Sequence, residues 1–453
     1  MTKMPPNYIS TTNACKLCKP LGACLAFRGV EGTVPFLHGS QGCATYMRRY
    51  VISHFNEPID IASSSLGEKH AVYGGGPNLK LGLNNVTQKY NPQLIGIATT
   101  CLTETIGDDV GGLLDEYRRE FGGRRGAPLL VNVATPSYSG THMEGFHAAV
   151  HALASQLARG GARTEAVNLL PGFVSPADLR HLKELVAAFN LECTVLPDIS
   201  DTLDGEALAD YPLIPEGGTK IKDIRAMGRA RATIEFGYTL DEQIAAGRFL
   251  AETFAVPLYR LGTPIGLRET DRLCKRLSEL SGQALPARYA SARGRLVDAM
   301  VDGHKYLFGK KAVLYGEEDL VVGLVSFLAE IGVQPVLCAT GGRSGNFARA
   351  VAEAVAETGL PAPEAHEGMD FFDISEQART LAPDLIIGHS KGYPLARELD
   401  IPLLRVGFPI HDRVGGQRIL HVGYQGAQQL FDLIANAMIE VKQRKSPVGY
   451  SYM

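Results

Sequence analysis

The chain has 453 residues, of which 45% are hydrophobic and 21% are charged, and its formal net charge at pH 7 is -3. This length predicts about two to four domains rather than one core, and the small acidic net charge argues against binding to nucleic acid or to a membrane surface. No stretch approaches the roughly 20 apolar residues of a membrane-spanning helix, and the amino-terminal residues lack the apolar core of a signal peptide, so we expect a cytoplasmic protein.

Eight cysteines are too few for a disulfide framework in so long a chain, and thiols stay reduced in the cytoplasm. Four of the eight lie between Cys15 and Cys43, and Cys101 follows an apolar run. Cys18, Cys43 and Cys101 each lie where the backbone turns sharply and can approach a bulky inorganic core. The spacing leaves two interpretations open. The three cysteines are either ligands of one shared iron–sulfur cluster or three buried thiols.

The other cysteines give weaker indications of a metal or redox site. Cys15 and Cys18 form a lone C-x-x-C that lacks the second pair of a zinc site, and it precedes the first βαβ unit, unlike a thioredoxin-type pair. Cysteines in apolar surroundings are more often small buried hydrophobes than ligands. We expect that of four cysteines, namely Cys24, Cys193, Cys274 and Cys338.

The first predicted domain spans residues 1–160 and contains two strand–loop–helix units. Its predicted elements are helices at 44–54, 79–88 and 144–157 and strands at 94–99 and 128–134. Cys101 lies at the carboxyl end of the first strand, where open α/β sheets bind their ligands and where a helix N-terminus favours a thiolate. Asp108 and Asp109 are expected in the first turn of a helix that continues to residue 120.

Two further domains are predicted, at residues 161–305 and 306–453. The second is expected to hold strands at 164–170, 192–196, 232–236 and 256–261, with helices at 176–189, 240–254, 269–280 and 290–307. The third is expected to hold strands at 311–315, 333–338, 384–388 and 402–407, with helices at 318–330, 346–358 and 423–443. The recurring βαβ pattern predicts an α/β fold of three doubly wound, Rossmann-like, parallel-sheet domains.

A glycine-rich stretch, TGGRSGNFARA at 340–350, follows a predicted strand and opens a helix. It lacks the G-x-G-x-x-G spacing of a dinucleotide site and the acidic residue expected further on. We therefore interpret it as a turn that lets a helix pack closely on a strand. His147 and His151 lie one helical turn apart without a third metal ligand, and we expect an exposed or interfacial pair.

Several motifs resemble those of one protein family, the β-type subunits of nitrogenase component 1 and their relatives. CKPLGA at 18–23, HGSQGC at 38–43 and TTCLTETIGDD at 99–109 are similar to its three cysteine motifs in order and spacing, and TPSYSGTH at 135–142 to a fourth. GHSKG at 388–392 and GFPIHDR at 407–413 resemble its third domain. The resemblance extends over essentially the whole chain and is specific.

The resemblance implies roles for particular residues. Cys18, Cys43 and Cys101 would ligate half of an eight-iron relay cluster of the P-cluster type, with the other half held by a homologous α subunit. Ser137 matches a serine that can join that cluster when it is oxidised. Tyr73 matches an aromatic residue at the docking surface for the ATP-dependent iron protein that acts as reductase. The catalytic iron–sulfur cofactor would belong to the α subunit, in an α2β2 heterotetramer.

The family includes reductases, among them nitrogenases and nitrogenase-like enzymes such as methylthio-alkane reductase, and scaffolds on which the nitrogenase cofactor is assembled. Only 17 residues precede Cys18, the segment SSSLGEKHAVYGG is less acidic than in the molybdenum nitrogenase β subunit, and PIGLRETD at 264–271 resembles scaffold and nitrogenase-like chains. All three cysteines and Ser137 are retained, which favours a nitrogenase-like reductase β subunit with a full relay cluster. The alternative is a scaffold β subunit, for which a 4Fe-4S cluster is expected.

Overall fold

Three parallel β-sheets organise the chain, and each is built from a consecutive segment of the sequence. The computed structural model describes residues 13–123 and 126–448. The α/β class with parallel, doubly wound sheets is confirmed. None of the helices in these two ranges combines the length and apolarity that a bilayer crossing requires.

The first sheet has the strand order β2-β1-β3-β4, and all neighbouring strands run parallel. Its strands are β1 (Thr33–His38), β2 (Ala62–Ser63), β3 (Leu94–Thr99) and β4 (Leu129–Val133). Its helices are α1 (Lys19–Arg28), α2 (Gln41–Phe55), α3 (His70–Tyr73), α4 (Gly76–Tyr90), α5 (Cys101–Ile106), α6 (Val110–Phe121) and α7 (His142–Leu157). Both β1 and β3 are buried along their whole length, as expected of central strands in a sheet covered on both faces.

Helices α1 and α3 and strands β1 and β2 are absent from the prediction, and the helix expected around Asp108 is divided. Strand β1 is missing from the predicted strands because Pro35 lies inside it, and proline lacks the N–H that a sheet strand normally donates. The single helix expected around Asp108 is two helices, because Gly107 adopts a left-handed φ of +77° and ends α5. Asp109 then caps α6 by accepting from the Gly112 N–H, which leaves Asp108 outside the helix.

The second sheet has the strand order β6-β5-β7-β8, again with parallel neighbours. Its strands are β5 (Val167–Leu170), β6 (Cys193–Val195), β7 (Ala232–Phe236) and β8 (Leu258–Leu261), and its helices are α8 (Pro176–Ala188), α9 (Ile221–Ala226) and α10 (Ala246–Phe254). Helix α10 begins six residues later than predicted, because the Asp241 carboxylate accepts from the Gln243 N–H and closes a turn there. Helices α11 (Gly266–Ser281) and α12 (Ala287–Leu307) connect to the third sheet.

The third sheet has five strands in the order β11-β10-β9-β12-β13. The strands are β9 (Lys311–Tyr315), β10 (Gln334–Ala339), β11 (Glu364–His366), β12 (Leu385–Gly388) and β13 (Leu403–Arg405). The helices are α13 (Glu318–Glu330), α14 (Phe347–Val355), α15 (Phe371–Leu381), α16 (Tyr393–Glu398) and α17 (Gly423–Arg444). Helix α17 packs on α12 and α11, and one buried apolar cluster draws residues from all three sheets. The three sheets lie within the proposed domain ranges, whose boundaries stay a prediction.

Each sheet has a point at which the strand order reverses, between β1 and β3, between β5 and β7, and between β9 and β12. The loops that follow two such strands run in opposite directions and leave a crevice outside their carboxyl ends. The topology therefore indicates these three crevices as candidate ligand sites.

Candidate functional site

The three predicted cluster cysteines lie at helix beginnings around the first crevice. Cys18 caps the N-terminus of α1, Cys43 lies in the first turn of α2, which follows β1, and Cys101 opens α5, which follows β3. All three thiols are free and half-buried. Cys43 and Cys101 therefore lie at the reversal point between β1 and β3, and Cys101 lies at the carboxyl end of a predicted strand.

The three thiols lie close enough to influence one another. Burial raises the pKa of Cys18, and the neighbouring charges of Cys101 and Cys43 raise it further, whereas a hydrogen bond with Ser137 lowers it. Three adjacent thiolates repel one another, and a bound metal centre supplies the positive charge that relieves this repulsion. The electrostatics of the group therefore fit a metal-cluster site better than three unrelated thiols.

Ser137 lies between two of the cysteines, on the single helical turn Ser137–Ser139 that follows β4. Its N–H donates to the Cys101 sulfur at 3.1 Å, and its hydroxyl oxygen accepts from the Lys19 N–H at 3.2 Å. At the third cysteine, the Ser40 hydroxyl donates to the Cys43 sulfur at 3.3 Å. Hydrogen bonds to cysteine sulfurs are among the means by which a protein tunes an iron–sulfur cluster.

A histidine and an aspartate join the loops that carry Cys43 and Cys101. The buried His38 ring contacts the Ser64 hydroxyl at 2.9 Å and the Asp108 carboxylate at 3.1 Å. Burial lowers the pKa of His38, an effect that Asp108 opposes. Asp108 also accepts from the Gly75 N–H at 3.0 Å, at a point where a Cβ atom would meet Asp108 and His38 at under 3 Å. These contacts were missed in the sequence, although the histidine of HGSQGC could have signalled them.

A second histidine holds the backbone beside Cys18. His142 Nδ1 accepts from the Leu17 N–H at 3.3 Å, so its Nε2 carries the proton and donates to the Glu317 carboxylate at 3.1 Å. Burial raises the pKa of Glu317, but the contacts with His142, together with His389 and a backbone hydrogen bond, outweigh burial and hold that pKa below its ordinary value. The segment that ends at Cys18 is thereby anchored to the third sheet.

Helices α1 and α7 cross at very short range beneath the site. A Cβ atom on Gly22 would lie 1.6 Å from the His142 carbonyl oxygen, and one on Gly145 would lie 1.8 Å from the Lys19 carbonyl oxygen. Only glycine permits this approach of two backbones. The crossing fixes Cys18 relative to the start of α7.

Large side chains are exposed around the thiols. Tyr138, next to Ser137, is 69% exposed and Tyr46 is 43% exposed. Burial and Tyr50 raise the pKa of the Tyr46 hydroxyl, and Cys18 contributes to that rise, so Tyr46 lies near the site. On α3, Tyr73 is 84% exposed, in agreement with a contact surface.

The donor set fits an iron–sulfur cluster, with three free thiols and one serine hydroxyl. Within residues 13–123 and 126–448, no three His, Cys, Asp or Glu side chains converge on a single metal ion.

The remaining predicted residues fall elsewhere. Cys24, Cys274 and Cys338 are buried as expected, whereas Cys193 is only half-buried. Cys15 is buried in the third sheet's cluster, with its sulfur 3.8 Å from His389 Nε2. Within the described residues, Cys15 has no hydrogen bond to Cys18, Cys43 or Cys101.

Two further expectations can be compared with the structure. His147 and His151 are half-buried rather than exposed, because α7 packs on both α1 and α10. In the glycine-rich loop, a Cβ atom on Gly341 would lie 2.3 Å from the Cys15 carbonyl oxygen. That loop is thus a close-packing turn, and what it packs against is the amino-terminal cysteine segment.

Comparison with known proteins identifies the family. Residues 18–439 match the model of the nitrogenase component 1 type oxidoreductases. The chain belongs to this family. The nitrogenase molybdenum-iron protein β chain of Clostridium pasteurianum is 37% identical over 435 residues, covering 96% of this chain and 94% of that one.

Two further comparisons support the same family assignment. The nitrogenase vanadium-iron protein β chain of Trichormus variabilis is 36% identical over 434 residues, covering 93% of this chain and 92% of that one. A chain from the solved structure "Nitrogenase Cp1 at pH 6.5" superposes with a TM-score of 0.95 at 35% identity, covering 100% of this chain and 98% of that one. The chain is therefore a β subunit of the nitrogenase component 1 family.

Proposed function

We propose that the chain is the β subunit of a nitrogenase-like reductase, in which Cys18, Cys43, Cys101 and Ser137 hold half of an interfacial eight-iron cluster of the P-cluster type. A homologous α subunit supplies the other half and the catalytic iron–sulfur cofactor, and the assembly is an α2β2 heterotetramer. The observation that carries this proposal is the grouping of three free thiols and Ser137 at one crevice, beneath exposed aromatic side chains.

An iron–sulfur cluster, when bound, accepts and passes on single electrons. This chain's residues supply thiolates, limit the access of water by half-burying them, and fix their positions through the Ser137, Ser40 and His142 hydrogen bonds. Tyr73 would contact the ATP-dependent iron protein, and the chain of contacts from Gly75 through Asp108 to His38 leads from that surface to the cysteine loops. We expect the assembly in the cytoplasm, where the thiols stay reduced.

The test is the iron content and the electron paramagnetic resonance spectrum of the complex purified without oxygen, with Cys43→Ala beside Cys24→Ala as control. Cys24 lies on α1 and is fully buried away from the crevice, so its variant should keep the metal. About eight irons per αβ pair at the shared site, lost in Cys43→Ala, would support the relay cluster, and about four would indicate the cofactor-assembly scaffold. Full iron content in Cys43→Ala would overturn the ligand assignment.

A further inference from the structure

A cavity lies at the crevices of the second and third sheets, apart from the cysteines of the first. The loops after β5, β7 and β9 line it at 171–175, 239–244 and 316–320, together with the beginning of α7. It has two adjoining lobes of about 180 and 50 Å³, which share Met143, His147, Glu317 and Asp319. Carboxyl ends of parallel strands at a reversal of strand order are the general ligand-binding place of such sheets.

The larger lobe is strongly acidic. Five carboxylates line it, among them Glu317, Glu318 and Asp319, against two cationic side chains, Lys16 and Arg343. The Asp319 carboxylate accepts from two backbone N–H groups of the loop after β7, at 2.7 and 3.0 Å. An excess of buried negative charge in a crevice attracts cations because low-dielectric walls focus the field.

Two carboxylate oxygens of residues that line this cavity accept no hydrogen bond from the described residues. Glu317, 7% exposed, uses Oε1 for His142 and leaves Oε2 buried and unpartnered. Glu318 uses Oε1 for the Ser344 N–H at 3.3 Å and also leaves Oε2 buried and unpartnered. Burial, with the charges of Glu367 and Asp319, raises the pKa of Glu318 to about 7. A buried carboxylate oxygen without a donor is costly, so a ligand that donates hydrogen bonds to both of these oxygens would be favoured.

The other lining groups narrow the class of ligand. No three metal-ligating side chains converge in the described ranges, which disfavours a bare metal ion. Met143, Leu240 and Ile244 supply apolar wall beside the carboxylates. A volume well below the roughly 300–1,000 Å³ of drug-sized pockets restricts the occupant to a small molecule. We propose that this cavity binds a small primary alkylammonium ion, whose N–H groups donate to Glu317 and Glu318 while its alkyl chain lies against the apolar wall.

The test is calorimetric titration of the purified complex with butylammonium chloride, above the pKa of Glu318 at about pH 8. We expect one site per β subunit and at least about tenfold weaker binding in Glu318→Gln, because a hydrogen bond to a charged group is lost. Glutamine can still accept from the Ser344 N–H, so the loop should keep its fold. Glu317→Gln, which can still accept from His142, should weaken binding similarly.

Matched controls separate the proposal from non-specific attraction. Glu353→Gln removes one carboxylate from α14, where Glu353 pairs with Arg349 outside this cavity, and should leave binding unchanged. Tetramethylammonium, which has no N–H, and butyrate should bind at least about tenfold more weakly. The proposal is overturned if butylammonium does not bind, if either comparison ion binds equally well, if Mg²⁺ takes the site in its place, or if Glu318→Gln binds like the parent complex.

Discussion

The contact between His142 and Glu317 makes a prediction about stability that can be worked out from the structure. His142→Phe keeps a ring of similar size beside Phe173 and Phe408 but removes both nitrogen atoms. The Glu317 carboxylate, 7% exposed, then loses its donor, and the Leu17 N–H loses its acceptor. Leaving a buried charged group without its hydrogen-bond donor costs about 3 kcal/mol or more.

The loss should depend on pH with a definite sign. In the parent protein the pKa of Glu317 lies below its ordinary value, so its stabilising contribution is present above about pH 4.5 and is lost as pH falls through the lower folded pKa. In His142→Phe, burial without a donor raises the folded pKa above the unfolded one. The variant is then most destabilised above that raised pKa, and its deficit shrinks as the pH falls toward about 4.5.

The assay is thermal unfolding of the complex at about pH 8 and about pH 5.5. We expect the unfolding temperature of His142→Phe to fall by roughly 5 °C or more at the higher pH and by less at the lower. Adding Glu317→Gln removes the unpaired charge and should recover part of the loss. An equal loss at both pH values, with no recovery in the double variant, would refute the reasoning.

Three other expectations concern the helix crossing, the thiols and a partly buried ion pair. Gly145→Ala should lower the unfolding temperature because its methyl group would lie against the Lys19 carbonyl, whereas Gly294→Ala, with open space around it, should be neutral or stabilising by up to about 1 kcal/mol. In the metal-free folded protein, mass spectrometry after brief alkylation should find the three half-buried site cysteines modified and Cys24 unmodified. Asp412→Asn should cost about 1–2 kcal/mol at neutral pH, because hydrogen bonds from Arg405 and Ser390 and the charges of Arg405 and Arg413 together outweigh burial and lower the pKa of Asp412 to about 2. That contribution should persist from neutral pH down to about pH 4 and disappear as the pH falls through about 2. Unfolding of the parent protein and the variant, measured at each pH, checks this expectation.

Local patterns were sufficient to predict the bounds of elements whose sequence contrasts with the flanking residues. Strands β3, β7 and β9 and helix α13 have the predicted bounds, because each is an apolar or periodic run bounded by polar residues, charge or glycine. Strand β1 shows the limit of this reasoning. Pro35 argues against a central strand, yet its neighbours pair with β3 along six residues, and this pairing outweighs the local signal.

The contacts that support the site could not be predicted from local patterns. Cys101 follows the predicted strand β3, whereas Cys43 follows β1, which was not predicted, so the sequence alone did not place both at one sheet edge. The Leu17–His142 hydrogen bond joins residues 125 positions apart, and no local pattern indicates it. The acidic cavity was not predicted either, because loops from different sheets contribute its walls.

The anchoring of the amino-terminal cysteine segment has a consequence for the order of assembly in the cell. The Lys391 ammonium group donates to the Ala14 carbonyl oxygen at 2.8 Å, across 377 positions of sequence. During synthesis Cys18 emerges long before Lys391, so the contacts that join its segment to the third sheet form only after that sheet has been made. Metal loading at Cys18 should therefore follow translation, and in ribosome-bound chains that end before Lys391 this thiol should be alkylated faster than in the completed chain.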